Sequence, residues 1–420
     1  MAKASADLRA AEAWDRIVDL ALERSVTAVI ISGDLVDQTN RFFEATGPLS
    51  RGLQRLALKG IRTIAVAGNH DHGVLPTLAR QYAGQEYKFQ LLGLNGAWED
   101  AVIEFQGRPA LRVVGWSFPN ESHRTDPIET FPQQLSQELP IIGLVHGDLD
   151  AKGSPYAPLS GERLKKQRVA GWLLGHIHAP QLQQDSGCPW ILYPGSPQAL
   201  DPGEPGMHGV WLAEVSPNSV QVQAPTQLPL SSIRYESITI DVKGVSDETD
   251  LRVRLREELR SRADVCRTES GTFLKALVAD LFVEGMTPVA DKVECILREL
   301  QEAQELDTSV AVEIRKSFSR ATRPLEIAAL AQGKSLPSVL ARLIRDLESG
   351  VNSQVVGEVM GLAMKSVGEL PLASRVKLGD SESALQFTNE EVRLSVGTAA
   401  RKLLAALVGT GPTDEGGGRA

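Results

Sequence analysis

Histidines are concentrated in one part of this 420-residue chain. Six of the seven lie between positions 70 and 178, and four of these six directly follow strand-like apolar runs. Those four occur in Gly68-Asn-His-Asp71, Val145-His146-Gly147 and Gly175-His-Ile-His178. A single histidine after a strand is usually structural. Several histidines at strand ends, together with Asp34 and Asn69, form a candidate set of metal ligands.

These side chains offer the donor atoms that hold divalent transition metals. Imidazole nitrogen, carboxylate oxygen and amide oxygen suit Mn²⁺, Fe²⁺ or Zn²⁺ without any cysteine. Two such ions, about 3.5–4 Å apart, flank a phosphate and turn a bound water into a nucleophile near neutral pH. Glycine precedes the ligand at Gly33, Gly68 and Gly175, where it permits tight turns and close approach of the backbone. The pattern therefore predicts a metal site, at which a pair of ions would be able to act on a phosphate.

The first half of the chain alternates apolar runs with amphipathic stretches, which is typical of an α/β domain. Helices are predicted from Leu8 to Arg24 and from Arg41 to Lys59. The predicted strands are Val26–Ile31, Ile61–Ala67, Leu111–Trp116, Ile141–Val145 and Gly171–Leu174. Open α/β sheets collect their ligands beyond the carboxyl ends of the strands. The candidate ligands are therefore expected to meet at such an edge.

Four motifs together resemble the calcineurin-like metallophosphoesterases. Gly33-Asp-Leu-Val-Asp37, Gly68-Asn-His-Asp71, His146 and Gly175-His-Ile-His178 match that signature in order and spacing. Tyr193-Pro-Gly-Ser196 and the regions that follow it resemble the SbcD-type DNA repair exonucleases within that superfamily. The resemblance implies an α/β fold, with a sandwich of two sheets flanked by helices, then a small α/β capping domain and a helical C-terminal region.

The same resemblance implies a role for each matching residue. The implied metal ligands are Asp34, Asn69, His146, His176 and His178. Asp34 would bridge two divalent ions, with Mn²⁺ expected, and His178 would belong to the second site. His70 would act on the substrate phosphate, as a general acid toward the leaving oxygen or by stabilising charge. Asp71 would orient His70.

Other polar residues near the motifs are interpreted without a role in catalysis. Asp37 is predicted to be a turn or helix-start residue, and His72 and His123 are predicted to lie at the surface. His208 could approach the site from its loop, but a surface-loop position is the preferred interpretation.

The family's first motif, Asp-x-His, is absent from this sequence, since no histidine has aspartate two residues before it. That motif would supply two ligands to the ion that His178 also binds. Two explanations stay open. Either the chain is a version truncated at its N-terminus, or it has one complete metal site and one impaired site. In the second case activity should be low or lost, because a single ion cannot clamp both the attacking and the leaving oxygen.

The length of the chain favours two or three domains. The predicted segments are a phosphoesterase core lacking its first strand (1–228), a capping domain (229–290), a helical region (291–408) and a disordered tail (409–420). Thr388-Asn-Glu-Glu391 predicts a capping box at the last helix. No apolar window is long enough for a membrane span, no signal peptide is evident, and three scattered cysteines indicate no disulfide framework. A cytoplasmic enzyme is expected.

The net charge of −9 argues against broad electrostatic coating of nucleic acid. It does not exclude a nuclease, because bound cations supply local positive charge. The densest basic cluster comprises Arg163, Lys165, Lys166 and Arg168. It could hold a DNA backbone, although a solvated helix face is preferred. The assignment of DNA as substrate therefore rests on the resemblance.

The resemblance also implies an SbcC-like coiled-coil ATPase as a partner and the formation of a homodimer. The apolar run Leu336 to Leu347 could pack on such a coiled coil or within its own domain. Three functions are considered. The favoured one is the nuclease subunit of a DNA repair complex. The alternatives are a phosphatase or small-molecule phosphodiesterase on the same core, and a non-catalytic scaffold.

Overall fold

The computed structural model describes residues 10–39, 42–216, 222–303, 310–368 and 388–409. The first elements build a three-stranded parallel sheet of order β1-β2-β3. They are α1 (Ala10–Glu23), β1 (Ala28–Ile31), α2 (Phe42–Leu58), β2 (Arg62–Ala65), α3 (Leu75–Gln81) and β3 (Phe89–Leu91). The predicted helices and strands of this region are confirmed within a few residues. The predicted starts of the first two helices, Leu8 and Arg41, lie outside the described residues.

A second sheet of six strands has the order β4-β5-β6-β7-β9-β8. Its elements are β4 (Glu99–Phe105), β5 (Arg108–Trp116), β6 (Ile141–His146), α4 (Gly161–Lys166), β7 (Gly171–Gly175), β8 (Gln181–Gln183) and β9 (Trp190–Tyr193). The central strands β5, β6, β7 and β9 run parallel, and the two edge strands run antiparallel to their neighbours. A hairpin of β10 (Gly209–Leu212) and β11 (Thr226–Pro229) follows.

The two sheets pack face to face through a shared apolar cluster. Ile64 comes from the first sheet, and Ile142, Leu144 and Leu192 come from the second; each is at most 1% exposed. Full burial of such a side chain contributes about 1.5–3 kcal/mol. Helices α1 and α2 cover the outer face of the first sheet through Val18, among others. The predicted α/β class, with sheets flanked by helices, is confirmed.

A third sheet, of order β12-β13-β14, follows the hairpin. Its elements are β12 (Ile233–Asp241), α5 (Glu248–Ser270), β13 (Ala276–Met286), α6 (Val293–Ala303) and β14 (Ala311–Thr322). The strand β14 corrects the prediction of helices alone from residue 291 onward. Much of β14 is half-exposed and polar, and Ile314 is its one buried apolar residue. The tertiary pairing with β13, rather than a strong local apolar pattern, makes this segment a strand.

The helical C-terminal region is confirmed from residue 327 onward. It contains α7 (Ile327–Leu330), α8 (Leu336–Glu348), α9 (Gln354–Gly368) and α10 (Asn389–Gly409). The predicted capping box is present: the Glu391 amide donates to Thr388 Oγ1 (3.2 Å), and the Thr388 amide donates to Glu391 Oε2 (2.7 Å). Residues 410–420 of the predicted tail lie outside the described residues, and the four-segment division of the chain stays a prediction. No helix in the described ranges is long and apolar enough to cross a membrane.

Candidate metal centre

The candidate ligands follow strands of both sheets. Asp34 comes three residues after β1, and Asn69 comes four residues after β2. His146 ends β6, and His176 directly follows β7. The backbone of Asp34 (φ 54°) and that of His176 (φ 98°) are left-handed. Aspartate tolerates this region, but for histidine it is strained, and strain of this kind concentrates at functional sites.

The structure brings these four side chains together. His146 Nε2 lies 3.2 Å from Asp34 Oδ2 and 3.0 Å from Asn69 Oδ1. His176 Nδ1 lies 3.2 Å from the same Asn69 oxygen. One ligand atom each of Asp34, His146 and His176 lies within 4.8 Å of the other two. The arrangement could hold a divalent cation, although the role of each residue as a ligand stays a prediction.

The hydrogen bonds in the cluster show why a cation fits. His146 Nδ1 is 2.9 Å from the Ser32 carbonyl, which can only accept, so Nδ1 carries the ring hydrogen. In the neutral ring Nε2 is then an acceptor, and it faces the oxygens of Asp34 and Asn69. When Nε2 carries no hydrogen, several acceptors converge there without a donor between them. Without a metal, a second proton on the His146 ring or an Asn69 amide turned to donate its N–H satisfies these groups. With a metal, the cation does so, and nitrogen and oxygen ligands of this kind suit transition metals.

The surroundings of Asp34 and His176 favour the protonation states in which these side chains bind a metal. Burial would raise the pKa of the Asp34 carboxyl, but in the metal-free site the hydrogen bond and charge of a doubly protonated His146 ring hold its pKa below the usual value. The His70 amide also donates to Asp34 Oδ1, at 2.9 Å. Burial lowers the pKa of His176, and the nearby charge of His146 lowers it further. A carboxylate and a neutral imidazole are the protonation states that bind a metal.

Glycines allow the two sheets to approach each other at this point. A Cβ atom at Gly175 would overlap the Ser32 carbonyl oxygen and His146 Nδ1, and one at Gly68 would overlap Asp34 Oδ1. The obstacle at Gly175 is partly backbone, which cannot move away as a flexible side chain can. The glycines before the ligands are therefore required by packing.

The substitution Gly175→Ala is expected to lower the free energy of unfolding by about 1–3 kcal/mol, because overpacking displaces neighbouring groups. It is also expected to weaken divalent-metal binding, since His146 must move. Urea unfolding and metal titration measure the two effects. Gly361→Ala in α9 is the matched control, since its added methyl group meets nothing within 4 Å. Equal unfolding curves for both variants would contradict the packing argument.

The predicted catalytic residue lies beside the cluster. The His70 side chain is exposed, and its backbone amide binds Asp34. Asp71 is fully buried, and its carboxylate accepts hydrogen bonds from the Gly68 and Leu35 amides, both at 2.7 Å. Burial, together with repulsion by Asp34, raises the pKa of Asp71 to about 7. Its observed contacts connect the two loops that carry Asp34 and Asn69, whereas its predicted role in orienting His70 stays a prediction.

His178 lies apart from this close group. Its Nδ1 is 2.6 Å from Glu204 Oε1, and its side chain is 64% exposed. Its assignment to a second metal site stays a prediction. Glu204, which comes from a loop 26 residues later, is not among the predicted site residues. Neither is Asp148, whose Oδ1 is 3.3 Å from His176 Nε2. The position of Asp148, two residues after His146, is the one local signal for it in the sequence.

The remaining sequence interpretations have mixed outcomes. Asp37 is a turn residue, as predicted, since its carboxylate accepts from the Thr39 amide and hydroxyl. The expected surface position of His208 is wrong: the side chain is 1% exposed and its Nδ1 lies 2.8 Å from the Ser196 carbonyl. The Leu230 amide pairs with the His208 carbonyl just before the β10–β11 hairpin, which draws this residue into the interior.

The basic cluster is mostly neutralised by neighbouring carboxylates. Arg163 pairs with Glu129, Lys165 pairs with Asp185 at 2.6 Å, and Lys166 pairs with a glutamate one turn earlier in α4. These contacts favour the solvated helix face over a DNA contact.

Comparisons with known proteins are consistent with the geometry. Residues 7–180 match the family model described as calcineurin-like phosphoesterase. The chain is 26% identical over 239 residues to the uncharacterized metallophosphoesterase YhaO of Bacillus subtilis, covering 56% of each chain. It is 27% identical over 292 residues to the DNA double-strand break repair protein Mre11 of Haloferax volcanii, covering 66% of this chain and 60% of the relative. The chain thus spans less than two thirds of the length of either relative.

Proposed function

We propose that this chain, whose residues 7–180 match the calcineurin-like phosphoesterase family model, is a metal-dependent phosphodiester hydrolase that acts on DNA. The observation that carries the proposal is the convergence of the Asp34, Asn69, His146 and His176 side chains at strand ends of two sheets. Imidazole nitrogens, a carboxylate and an amide oxygen that converge in this way are ligand atoms that suit a divalent cation. The exposed His70 beside them is free to meet a substrate.

Divalent metal, with Mn²⁺ as the proposed ion, would be held by these four residues, and His178 would contribute to a second ion. When bound, such an ion polarises a phosphoryl oxygen and makes a bound water nucleophilic. The chain's own residues do the rest. Asp34 is fixed by the His70 amide. The His70 imidazole donates a proton to the leaving oxygen.

The proposal of DNA as substrate is supported by the similarity to the archaeal repair protein, whose name states a role in double-strand breaks. The charge of the chain does not add to it, because the net charge is −9 and most of the basic cluster is paired. A small phosphodiester is the second candidate substrate. A scaffold without catalysis is the third hypothesis, and it requires the converging acceptors to have no catalytic use.

The SbcC-like ATPase partner and the homodimer also remain proposals. Within α8, Ile344 and Leu347 are buried in the cluster that holds the C-terminal helices together. Leu336 and Val339 of the same helix are 62% and 39% exposed. Part of the apolar run thus packs within its own region, and its N-terminal part is left for the proposed coiled coil.

The proposal predicts that the purified chain with added Mn²⁺ degrades linear DNA, at a low rate because the ion at His178 lacks the two Asp-x-His ligands, and that EDTA abolishes the degradation. The release of acid-soluble nucleotides measures it, with a chromogenic bis-aryl phosphodiester assayed in parallel. Cleavage of the chromogenic ester without degradation of DNA would favour the small-substrate candidate. Absence of both activities, in protein that binds Mn²⁺, would favour the scaffold.

A further inference from the structure

Each histidine of the Gly175-His-Ile-His178 motif has a carboxylate on one ring nitrogen. Asp148 Oδ1 lies 3.3 Å from His176 Nε2, and Glu204 Oε1 lies 2.6 Å from His178 Nδ1. The two carboxylates therefore engage opposite nitrogens of the two rings. A neutral imidazole carries one hydrogen, and the hydrogen is placed on the nitrogen that faces the stronger acceptor.

Glu204 is built into the fold as a fixed acceptor. The residue is 7% exposed. Its second oxygen, Oε2, accepts from the Leu200 amide at 2.9 Å and from Ser196 Oγ at 3.2 Å. The Ser196 amide in turn donates to the His178 carbonyl at 2.9 Å. The carboxylate and the histidine backbone are thus held by one loop, so the acceptor of the short contact is fixed while the His178 ring itself is exposed.

We infer that Glu204 is a positioning residue that keeps His178 in the Nδ1–H tautomer and leaves the Nε2 lone pair for a ligand. The inference rests on the proposed function in one respect only, namely that His178 serves as a metal ligand. Histidine in water prefers the opposite tautomer, with hydrogen on Nε2, so Glu204 must reverse an intrinsic preference. Carboxylates that hold ligating histidines in this way typically change metal affinity about 10–100-fold.

His176 provides an internal comparison. Its hydrogen is expected on Nε2, toward Asp148, and its Nδ1 faces the Asn69 oxygen at 3.2 Å. The oxygen Oδ2 of Asp148 accepts from the Ser154 hydroxyl, and the Tyr156 ring lies 4.9 Å from the His176 ring. Because this tautomer is also the one that free histidine prefers, removal of Asp148 would not reverse it. Removal of Glu204 is therefore the change that distinguishes a tautomer imposed by the carboxylate from the tautomer that free histidine prefers.

Nitrogen-15 NMR on histidine-labelled, metal-free protein tests the inference. At pH 8, above the ordinary histidine pKa of about 6.5, we expect the His178 signals of the unmodified chain to be those of the Nδ1–H tautomer. The His178→Gln variant assigns the signals. Glu204→Ala is expected to shift His178 to the Nε2–H tautomer. Glu204→Gln keeps the shape of the residue but has a single acceptor oxygen, which the Leu200 amide requires. Its amide nitrogen then faces His178 Nδ1 as a donor, so Nε2–H is expected in this variant too.

Mn²⁺ titration provides the second measurement. We expect an affinity about 10–100-fold weaker in both Glu204→Ala and Glu204→Gln, and no change in the control Glu214→Ala, an exposed glutamate. An Nε2–H tautomer at His178 in the unmodified chain would overturn the inference even if Glu204→Ala failed to fold. So would Nδ1–H persisting in a folded Glu204→Ala variant. Lack of DNA hydrolysis would count against the proposed function and would leave the tautomer result intact.

Discussion

Asp34→Ala is expected to lower Mn²⁺-dependent phosphodiester hydrolysis at least about a thousandfold, which corresponds to about 4 kcal/mol in the activation free energy. Asp34 is the one carboxylate in the close group of ligand atoms found among the described residues. Its removal leaves the acceptor nitrogen of His146 facing an empty space and deprives the cation of its charged ligand. Metal titration should show the loss directly, alongside the assay of DNA degradation.

The control for this variant lies three residues further along the same loop. The carboxylate of Asp37 accepts from the amide and hydroxyl of Thr39, and it is exposed. Asp37→Ala is therefore expected to retain both metal binding and most of the activity. If the two variants lost activity equally, the assignment of Asp34 as a ligand would fail, because a general disturbance of the loop would explain both.

The second large effect is expected at His70. His70→Ala should lower kcat about 10²–10⁴-fold, the usual contribution of a general acid, while Mn²⁺ affinity stays within about threefold. The reason is that the His70 backbone amide, which holds Asp34, is kept in the variant, and only the exposed imidazole is lost. Steady-state kinetics on DNA and metal titration separate the two quantities.

His123→Ala is the histidine control, since that ring lies against Trp116 and the Thr125 hydroxyl. It is expected to leave kcat unchanged. A substrate whose leaving group needs no proton should be cleaved by His70→Ala at a nearly normal rate. If His70→Ala were equally slow on that substrate, the imidazole would act by stabilising charge instead of by donating a proton.

The candidate site was predictable from the sequence to the extent that local patterns determine it. Apolar runs ending in Gly33-Asp34 or Gly175-His176 indicate both a strand and the side chain at its end. Parallel strands then bring residues that are distant in sequence to one edge of the fold. For this reason the four side chains could be grouped before their distances were known.

Features that depend on tertiary contacts were not predictable in this way. The strand β14 has only a weak apolar pattern and takes its structure from its neighbour in the sheet. The burial of His208 results from pairing with Leu230, 22 residues later, and Glu204 reaches His178 from a separate loop. Local sequence carries no information on which of several exposed-looking acids will face a histidine.

The placement of the ligands on two different sheets has a mechanical consequence. Asp34 and Asn69 belong to loops of the three-stranded sheet, whereas His146 and His176 belong to the six-stranded sheet. An ion held by all four residues would crosslink the two sheets and would oppose any sliding of one sheet over the other. At a free concentration one hundred times its dissociation constant, the ion would raise the free energy of unfolding by about 2.7 kcal/mol. Metal binding and the packing of the two sheets against each other are thus thermodynamically linked.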